Sequence, residues 1–169
     1  ATTEPRTYAF HVNWSPEGIA SLKENILRID TLLPQWVYVA DENGGIDFDL
    51  PDATETILED IADENPAMRI VPVLTDLDSS AFHPDRIAAV LADPQARQAL
   101  IGNVRDYLLE NGFEGIAIRF SSMETVNAAH FAVFLRALDA ALTPLDLSVY
   151  AVLPAEADLP LARSVGGLV

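Results

Sequence analysis

The sequence predicts an α/β protein with a parallel sheet. Short β-rich apolar runs alternate with stretches of helical period at intervals of about 30 to 45 residues. This alternation is typical of right-handed βαβ units, whose strands are parallel. Half of the 169 residues are hydrophobic, so the chain can bury a core. A doubly wound sheet and a (β/α)8 barrel both fit, although the turn after the first strand lacks the glycine-rich phosphate loop of nucleotide-binding folds.

Five strands and four helical regions are predicted in chain order. The strands are the β-rich runs at 8–14, 36–40, 69–74, 115–120 and 147–153. Apolar residues spaced by three and four predict helices over 19–29, 57–61, 87–108 and 131–142. Asp93 and Pro94 are expected to restart the third helical region, and Gly112 to end it. The polar segment 41–52, DENGGIDFDLPD, is predicted to be a loop.

Composition excludes several classes of partner and site. The chain has 26 acidic and 10 basic residues, a net charge of -16, which repels nucleic acid and anionic lipids. It has no cysteine, so disulfides and thiolate metal sites are excluded. Its apolar runs are judged too short to cross a bilayer, so no direct membrane insertion is expected. The acidity itself is typical of a solvated outer face.

The fourth predicted strand lies in the segment NGFEGIAIRFSS, residues 111–122. This segment resembles NGFDGIDIDWE of the family 18 glycoside hydrolases, whose signature D-G-x-D-x-D-x-E lies on the fourth strand of a TIM barrel. The resemblance extends to the opening YAFHVNW, the polar turn after the second strand and VYAVLP at the fifth. It is greatest to the chitinase-like domain of bacterial multidomain polysaccharide deacetylase and glycosyltransferase proteins.

The resemblance implies an incomplete (β/α) TIM-type barrel. A full barrel needs eight βα units, whereas residues 1–169 supply about five as one partial chitinase-like domain. The chain is therefore expected to stop within the fold. Either further residues or another chain would complete the sheet.

The signature acids are largely replaced. Carried over by position, the signature falls on Glu114, Ala117, Arg119 and Ser121. In the family the last position is a Glu that acts as general acid, and a neighbouring Asp assists the attack of the substrate's N-acetyl group. Arginine stays protonated and serine cannot protonate a leaving group. The resemblance therefore implies a domain without catalytic residues.

Period-2 alternation places the three replaced positions on the barrel interior and Ile116, Ile118 and Phe120 against the helices. An isolated guanidinium inside a barrel would cost several kcal/mol in desolvation. We therefore expect Arg119 to form a salt bridge with Asp76 or with another acid at the strand ends.

Five residues are candidates for ligand contact at the C-terminal rim, where barrel active sites form: Asn13, Trp14, Asp76, Asp78 and Glu124. Trp14 ends the first strand and could stack on a sugar, although packing is the more common role. Asp76 and Asp78 follow the third strand, where acids also cap helices. No pair of histidines has metal-ligand spacing, so neither a metal nor a cofactor is predicted.

The resemblance, together with the replaced acids, implies a non-hydrolytic, glycan-binding or scaffolding domain. The resemblance implies an extracytoplasmic place, periplasmic or at the cell surface, within a bacterial exopolysaccharide synthesis or modification protein. Its partners would be an oligosaccharide or polysaccharide and the rest of that protein. Two alternatives stay open: an active glycosidase whose acid is Glu124, Asp76 or a residue outside this chain, and a purely structural protein-interaction module.

Overall fold

The computed structural model describes residues 6–11, 16–50, 52–121 and 128–152. The strands are β1 Tyr8–His11, β2 Thr31–Pro34, β3 Val37–Val39, β4 Ile46–Phe48, β5 Arg69–Ile70, β6 Val73–Thr75, β7 Gly115–Arg119 and β8 Ser148–Ala151. The helices are α1 Pro16–Asn25, α2 Thr54–Glu64, α3 Pro84–Ala92, α4 Pro94–Asn111 and α5 Ala128–Leu142, with 3-10 turns at Ile26–Arg28 and Thr143–Leu145.

The parallel strands lie side by side in chain order. β1 pairs with β2, and β2 with β5. β3 pairs with β6, β6 with β7, and β7 with β8. β2 and β3 are successive parts of one barrel strand, as are β5 and β6. A doubly wound sheet would reverse its order at a switch point, so the architecture is an incomplete (β/α) barrel, as predicted.

The second strand begins earlier than predicted. The sequence placed it at 36–40, whereas β2 already starts at Thr31. Ile29 fits the helical spacing of the preceding stretch, but α1 ends at Asn25 and a 3-10 turn follows. The buried residues Leu32 and Leu33 then belong to a strand rather than to a helix-to-strand connection.

The predicted loop at 41–52 is partly a strand. β4 runs antiparallel to β3 within it. Gly44 makes the turn with φ 89°, and a Cβ there would lie 2.3 Å from the Ala96 carbonyl oxygen. The Asn103 side chain donates to the Gly44 carbonyl at 2.9 Å. A glycine is therefore required where the hairpin touches α4.

The third helical region breaks where the sequence predicted. Asp93 separates α3 from α4, and its side chain accepts a hydrogen bond from the Gln95 N–H. Gly112 ends α4 in the left-handed conformation, with φ 66°. Both signals are local, since a cap and a C-terminal glycine act within one turn of the helix end.

The two faces of β7 have the predicted orientations. Ile116, Ile118 and Phe120 join the main core, which the helices cover, and Phe120 lies 6.1 Å from Phe131 of α5 between ring centroids. Ala117 instead belongs to a separate apolar cluster on the barrel interior, with Leu33, Val71 and Val73.

Helix α5 corrects the expectation about membrane spans. Residues 128–145 have a mean hydropathy of 1.2, enough in length and composition to cross a bilayer. The helix is nevertheless part of the core, because Phe131, Phe134, Leu135 and Leu138 are buried in the same cluster as the helix-facing side of the sheet. A buried core helix passes the same test of length and composition.

Polar contacts tie the strands together at their N-terminal ends. The Glu114 carboxylate accepts a hydrogen bond from the Ile70 N–H at 2.8 Å. The Arg69 guanidinium donates to the Ser148 hydroxyl at 2.9 Å. A Cβ on Gly115 would lie 2.4 Å from the Ser148 carbonyl oxygen, so β7 and β8 approach closely there. Glu114, the one signature position that keeps an acid, thus has a structural partner.

Candidate functional site

Asp76 ties the third barrel strand to the fourth at the C-terminal rim. It follows β6, and only 1% of its surface is exposed. Its Oδ1 accepts from the Ser121 N–H at 2.9 Å, and its Oδ2 accepts from the Ser121 hydroxyl at 2.5 Å. The Asp76 carbonyl also accepts from the His83 N–H at 3.0 Å. Both carboxylate oxygens are therefore engaged by one residue of the neighbouring strand end.

The predicted salt bridge between Arg119 and Asp76 is wrong. Arg119 ends β7 opposite Thr75 of β6 and is exposed, and it forms no ion pair with any acid among the described residues. The prediction assumed that Arg119 is buried in the barrel interior, where an unpaired guanidinium is costly to desolvate and a carboxylate partner would offset that cost. Arg119 is instead exposed at the last residue of the strand, and Ser121 already donates to both oxygens of Asp76.

The replaced signature positions offer no general acid. Ala117 is 0% exposed and contributes only a methyl group to the interior cluster. Arg119 presents a permanent cation, and the Ser121 hydroxyl is committed to Asp76. These side chains can hold a ligand by hydrogen bonds or charge, but none can protonate a leaving group near neutral pH.

Asp78 organises the loop that follows the third strand. Its Oδ1 accepts from the N–H and hydroxyl of Ser80 at 2.8 and 2.6 Å and from the Ala81 N–H at 3.0 Å. Its Oδ2 lies 2.6 Å from Nε2 of His83 and 3.9 Å from the Arg86 guanidinium. The Ser80 hydrogen bonds, followed by those from Ala81 and His83, hold the Asp78 pKa well below its usual 3.8. Asp78 is therefore an ionised loop anchor.

The sequence did not predict the partners of these two acids. Ser121 lies 45 positions after Asp76, and His83 five after Asp78. Neither separation is a helical or strand period, so no pattern indicated the contacts.

Three predicted candidates lie outside the described residues, namely Asn13, Trp14 and Glu124. Within the described part of the chain, no three histidine or acidic side chains are grouped so that they could hold a metal ion. The candidate rim residues that the structure describes follow or end the third and fourth barrel strands.

Aromatic residues on the interior face were not recognised from the sequence. Tyr8 and Phe10 alternate with Ala9, which packs against the α1 cluster, so they belong to the opposite face of β1. They are 45% and 57% exposed. Tyr8 meets Tyr150 of β8 edge to face, with ring centroids 6.5 Å apart. The alternation in the segment YAF was the signal that could have identified them.

The fold is that of the family 18 chitinase-like barrels. The chitinase of Chromobacterium violaceum ATCC 12472 superposes with a TM-score of 0.80 at 14% identity, over 97% of this chain and 53% of that one. The spore cortex-lytic enzyme SleL of Bacillus megaterium QM B1551 gives a TM-score of 0.76 at 16% identity, over 96% and 40%. No family model matches the chain.

One relative is also similar in sequence. It is YdhD of Bacillus subtilis (strain 168), whose name describes a sporulation-specific glycosylase, 27% identical over 136 residues. The match covers 78% of this chain and 30% of YdhD. The YdhD crystal structure superposes with a TM-score of 0.61 over 77% of this chain and 42% of that one. The chain thus spans about half the length of the chitinase and less than a third of YdhD.

Proposed function

We propose that this chain is part of a chitinase-like barrel that binds a glycan at its C-terminal rim without hydrolysing it. One observation carries the proposal. The interior positions that match the family's acids hold a buried methyl, an exposed guanidinium and a hydroxyl already bonded to Asp76. The scaffold of a sugar site is kept while its proton donor is lost.

The two acids that follow the third barrel strand do not replace that donor. Asp76 is almost fully buried, and both of its oxygens accept hydrogen bonds from Ser121. Asp78 is held ionised by its loop, so it has no proton to give. A glycosidase needs an acid within hydrogen-bonding reach of the leaving oxygen. These two acids support a binding role over a hydrolytic one.

Aromatic residues on the same interior face support sugar binding. Tyr8, Phe10 and Tyr150 present ring surface there, two of them on β1 and one on β8. Sugar sites commonly combine exposed aromatic faces with a few polar groups. The similarity to chitinases and to one protein named as a glycosylase supports a carbohydrate ligand over a purely structural role.

The biological context is a further part of the proposal and rests on resemblance. We place the domain outside the cytoplasm, in a bacterial protein that makes or modifies an exopolysaccharide. There it would hold or guide the glycan.

The test is a titration with chitotetraose, followed by Trp fluorescence and by calorimetry. The chain has two tryptophans, and Trp36 is 1% exposed in the core, so a sugar-dependent change would report on Trp14. Phe10→Ala should weaken binding by roughly 1 to 3 kcal/mol, the range for a lost aromatic contact, because Phe10 lies on the interior face two residues nearer the C-terminal rim than Tyr8. Phe48→Ala is the matched control, because Phe48 packs on Tyr107 of α4 and is remote from the interior face.

Turnover of a chromogenic chito-oligosaccharide is measured in parallel and should be absent. Binding that is weakened by Phe10→Ala and kept by Phe48→Ala supports the proposal. Turnover by the unmodified protein, or no binding at millimolar chitotetraose, overturns it.

A further inference from the structure

Arg119 places a positive charge at the C-terminal end of an apolar interior cluster. The interior cluster below it consists of Leu33, Val71, Val73 and Ala117, with Tyr150 and Val152 packed against it. Arg119 follows Ala117 by two residues along β7, so alternation puts both side chains on the same face. Its neighbour across the strand pair is the uncharged Thr75.

Two acids that follow the third barrel strand, Asp76 and Asp78, are already engaged by other donors. Asp76 is bonded twice by Ser121. Asp78 is bonded by Ser80 and Ala81 and lies against His83. Although the chain has 26 acidic residues, Arg119 forms no salt bridge within the described ranges. Its guanidinium is thus exposed on the face that the proposed glycan would contact.

We infer that the glycan carries a carboxylate and that Arg119 binds it. This inference rests on the proposed function. A guanidinium presents two parallel N–H donors that match a carboxylate, and such charged pairs are stronger than neutral hydrogen bonds. Neutral N-acetyl sugars offer this fork no charged acceptor. The arginine therefore selects an acidic sugar in place of a neutral one.

The charge of the whole chain limits how many carboxylates the glycan carries. A chain of net charge -16 repels a polymer with an acid on every sugar. At physiological ionic strength charges are screened over about 8 Å, so a single close pair with Arg119 survives this repulsion. The ligand that fits is a glycan in which acidic sugars alternate with neutral ones.

The experiment compares three tetrasaccharides by calorimetry: chitotetraose, a hyaluronan tetrasaccharide with alternating acids, and tetragalacturonate with an acid on every sugar. The alternating one should bind the unmodified protein about 10- to 100-fold more tightly than chitotetraose, the gain for a hydrogen bond to a charged group. It should also bind more tightly than tetragalacturonate.

Three variants assign the effect to Arg119. Arg119→Gln should reduce the affinity for the hyaluronan tetrasaccharide to that for chitotetraose, and Arg119→Lys should keep part of the preference. Arg105→Gln is the control for charge, because Arg105 is an exposed arginine of α4 that pairs with Asp106. It should change neither affinity. Thermal melts of all variants should match the unmodified protein, since both arginines are exposed.

The outcomes separate this inference from the proposed function. Equal binding of chitotetraose and the hyaluronan tetrasaccharide, unaffected by Arg119→Gln, overturns the inference and leaves the glycan site standing. A preference that Arg105→Gln reduces as much as Arg119→Gln is a general charge effect and also overturns it. Tighter binding of tetragalacturonate refutes the alternating pattern. If none of the three binds at millimolar concentration, the glycan site itself is refuted.

Discussion

Restoring the missing acid by Ser121→Glu should lower stability and yield no hydrolase. The substitution removes the hydroxyl that donates to Oδ2 of Asp76 at 2.5 Å. A hydrogen bond to a charged group contributes about 1.5 to 3 kcal/mol. The backbone N–H of residue 121 keeps its bond to Oδ1, so the tie between the strands is weakened rather than lost.

The added charge should lower the free energy of unfolding by less than the lost hydrogen bond does. Two carboxylates held 4 Å apart at an effective dielectric of 20 would repel by about 4 kcal/mol. Ser121 is exposed, however, so the longer glutamate side chain can turn towards water. There the interaction of like charges falls to about 1 kcal/mol or less. We expect a total loss of roughly 2 to 4 kcal/mol in the free energy of unfolding.

Urea denaturation of Ser121→Glu and the uncharged Ser121→Gln measures both effects. Both variants should lose the hydroxyl contribution, and they should differ by no more than about 1 kcal/mol. Neither should cleave a chromogenic chito-oligosaccharide, because position 119 still holds an arginine where the family has the assisting acid. Turnover by Ser121→Glu, or unchanged stability in both variants, would refute this account of the rim.

Substitutions at four further positions test the local structure. Gly44→Ala should cost at least about 2 kcal/mol in unfolding free energy, since φ is 89° and the new Cβ would lie 2.3 Å from a backbone oxygen of α4. Gly102→Ala meets no atom within 4 Å and should instead add about 0.5 to 1 kcal/mol; loss of stability there would contradict the packing of α4. Asp78→Asn should lower the melting temperature at neutral pH. Because folding depresses the Asp78 pKa, its stabilisation is present above the usual 3.8 and is lost as pH falls below it, so the two melting curves should converge in acid; a difference that grows in acid would reverse the sign. Glu114→Ala should cost about 1 to 3 kcal/mol by leaving the Ile70 N–H unpaired, and Glu114→Gln less, because an amide oxygen can still accept; equal losses would show that charge matters more than the acceptor.

Local signals account for the parts of the fold that the sequence predicted. The alternation of Ile116, Ala117 and Ile118 predicted which side chains lie on each face of β7, because successive side chains on a strand point to opposite sides. Asp93 and Gly112 predicted the two ends of α4, because capping residues act within one turn of a helix end. Each of these features depends on residues that are close together in the chain.

Contacts between distant segments account for the parts that it missed. The β4 strand lies in a polar sequence, and its turn is seated on α4 through Asn103, 59 positions after Gly44. The Asp76 tie depends on Ser121, 45 positions away. The prediction for Arg119 had the correct face and strand end but the wrong partner. The prediction rested on a buried guanidinium, whereas Arg119 is exposed and Ser121 already donates to both oxygens of the Asp76 carboxylate.

Different constraints act at the two ends of the barrel strands. At the N-terminal end of the strands, Glu114 accepts from the backbone of Ile70, and Arg69 bonds Ser148. Losing Glu114 would leave a partly buried backbone donor without a partner, which costs stability in any variant of this barrel. At the C-terminal end, Ala117 packs among apolar neighbours and Arg119 extends into solvent. Stability therefore constrains position 114 to an acceptor and position 117 to a small apolar side chain, whereas it places neither constraint on the exposed position 119.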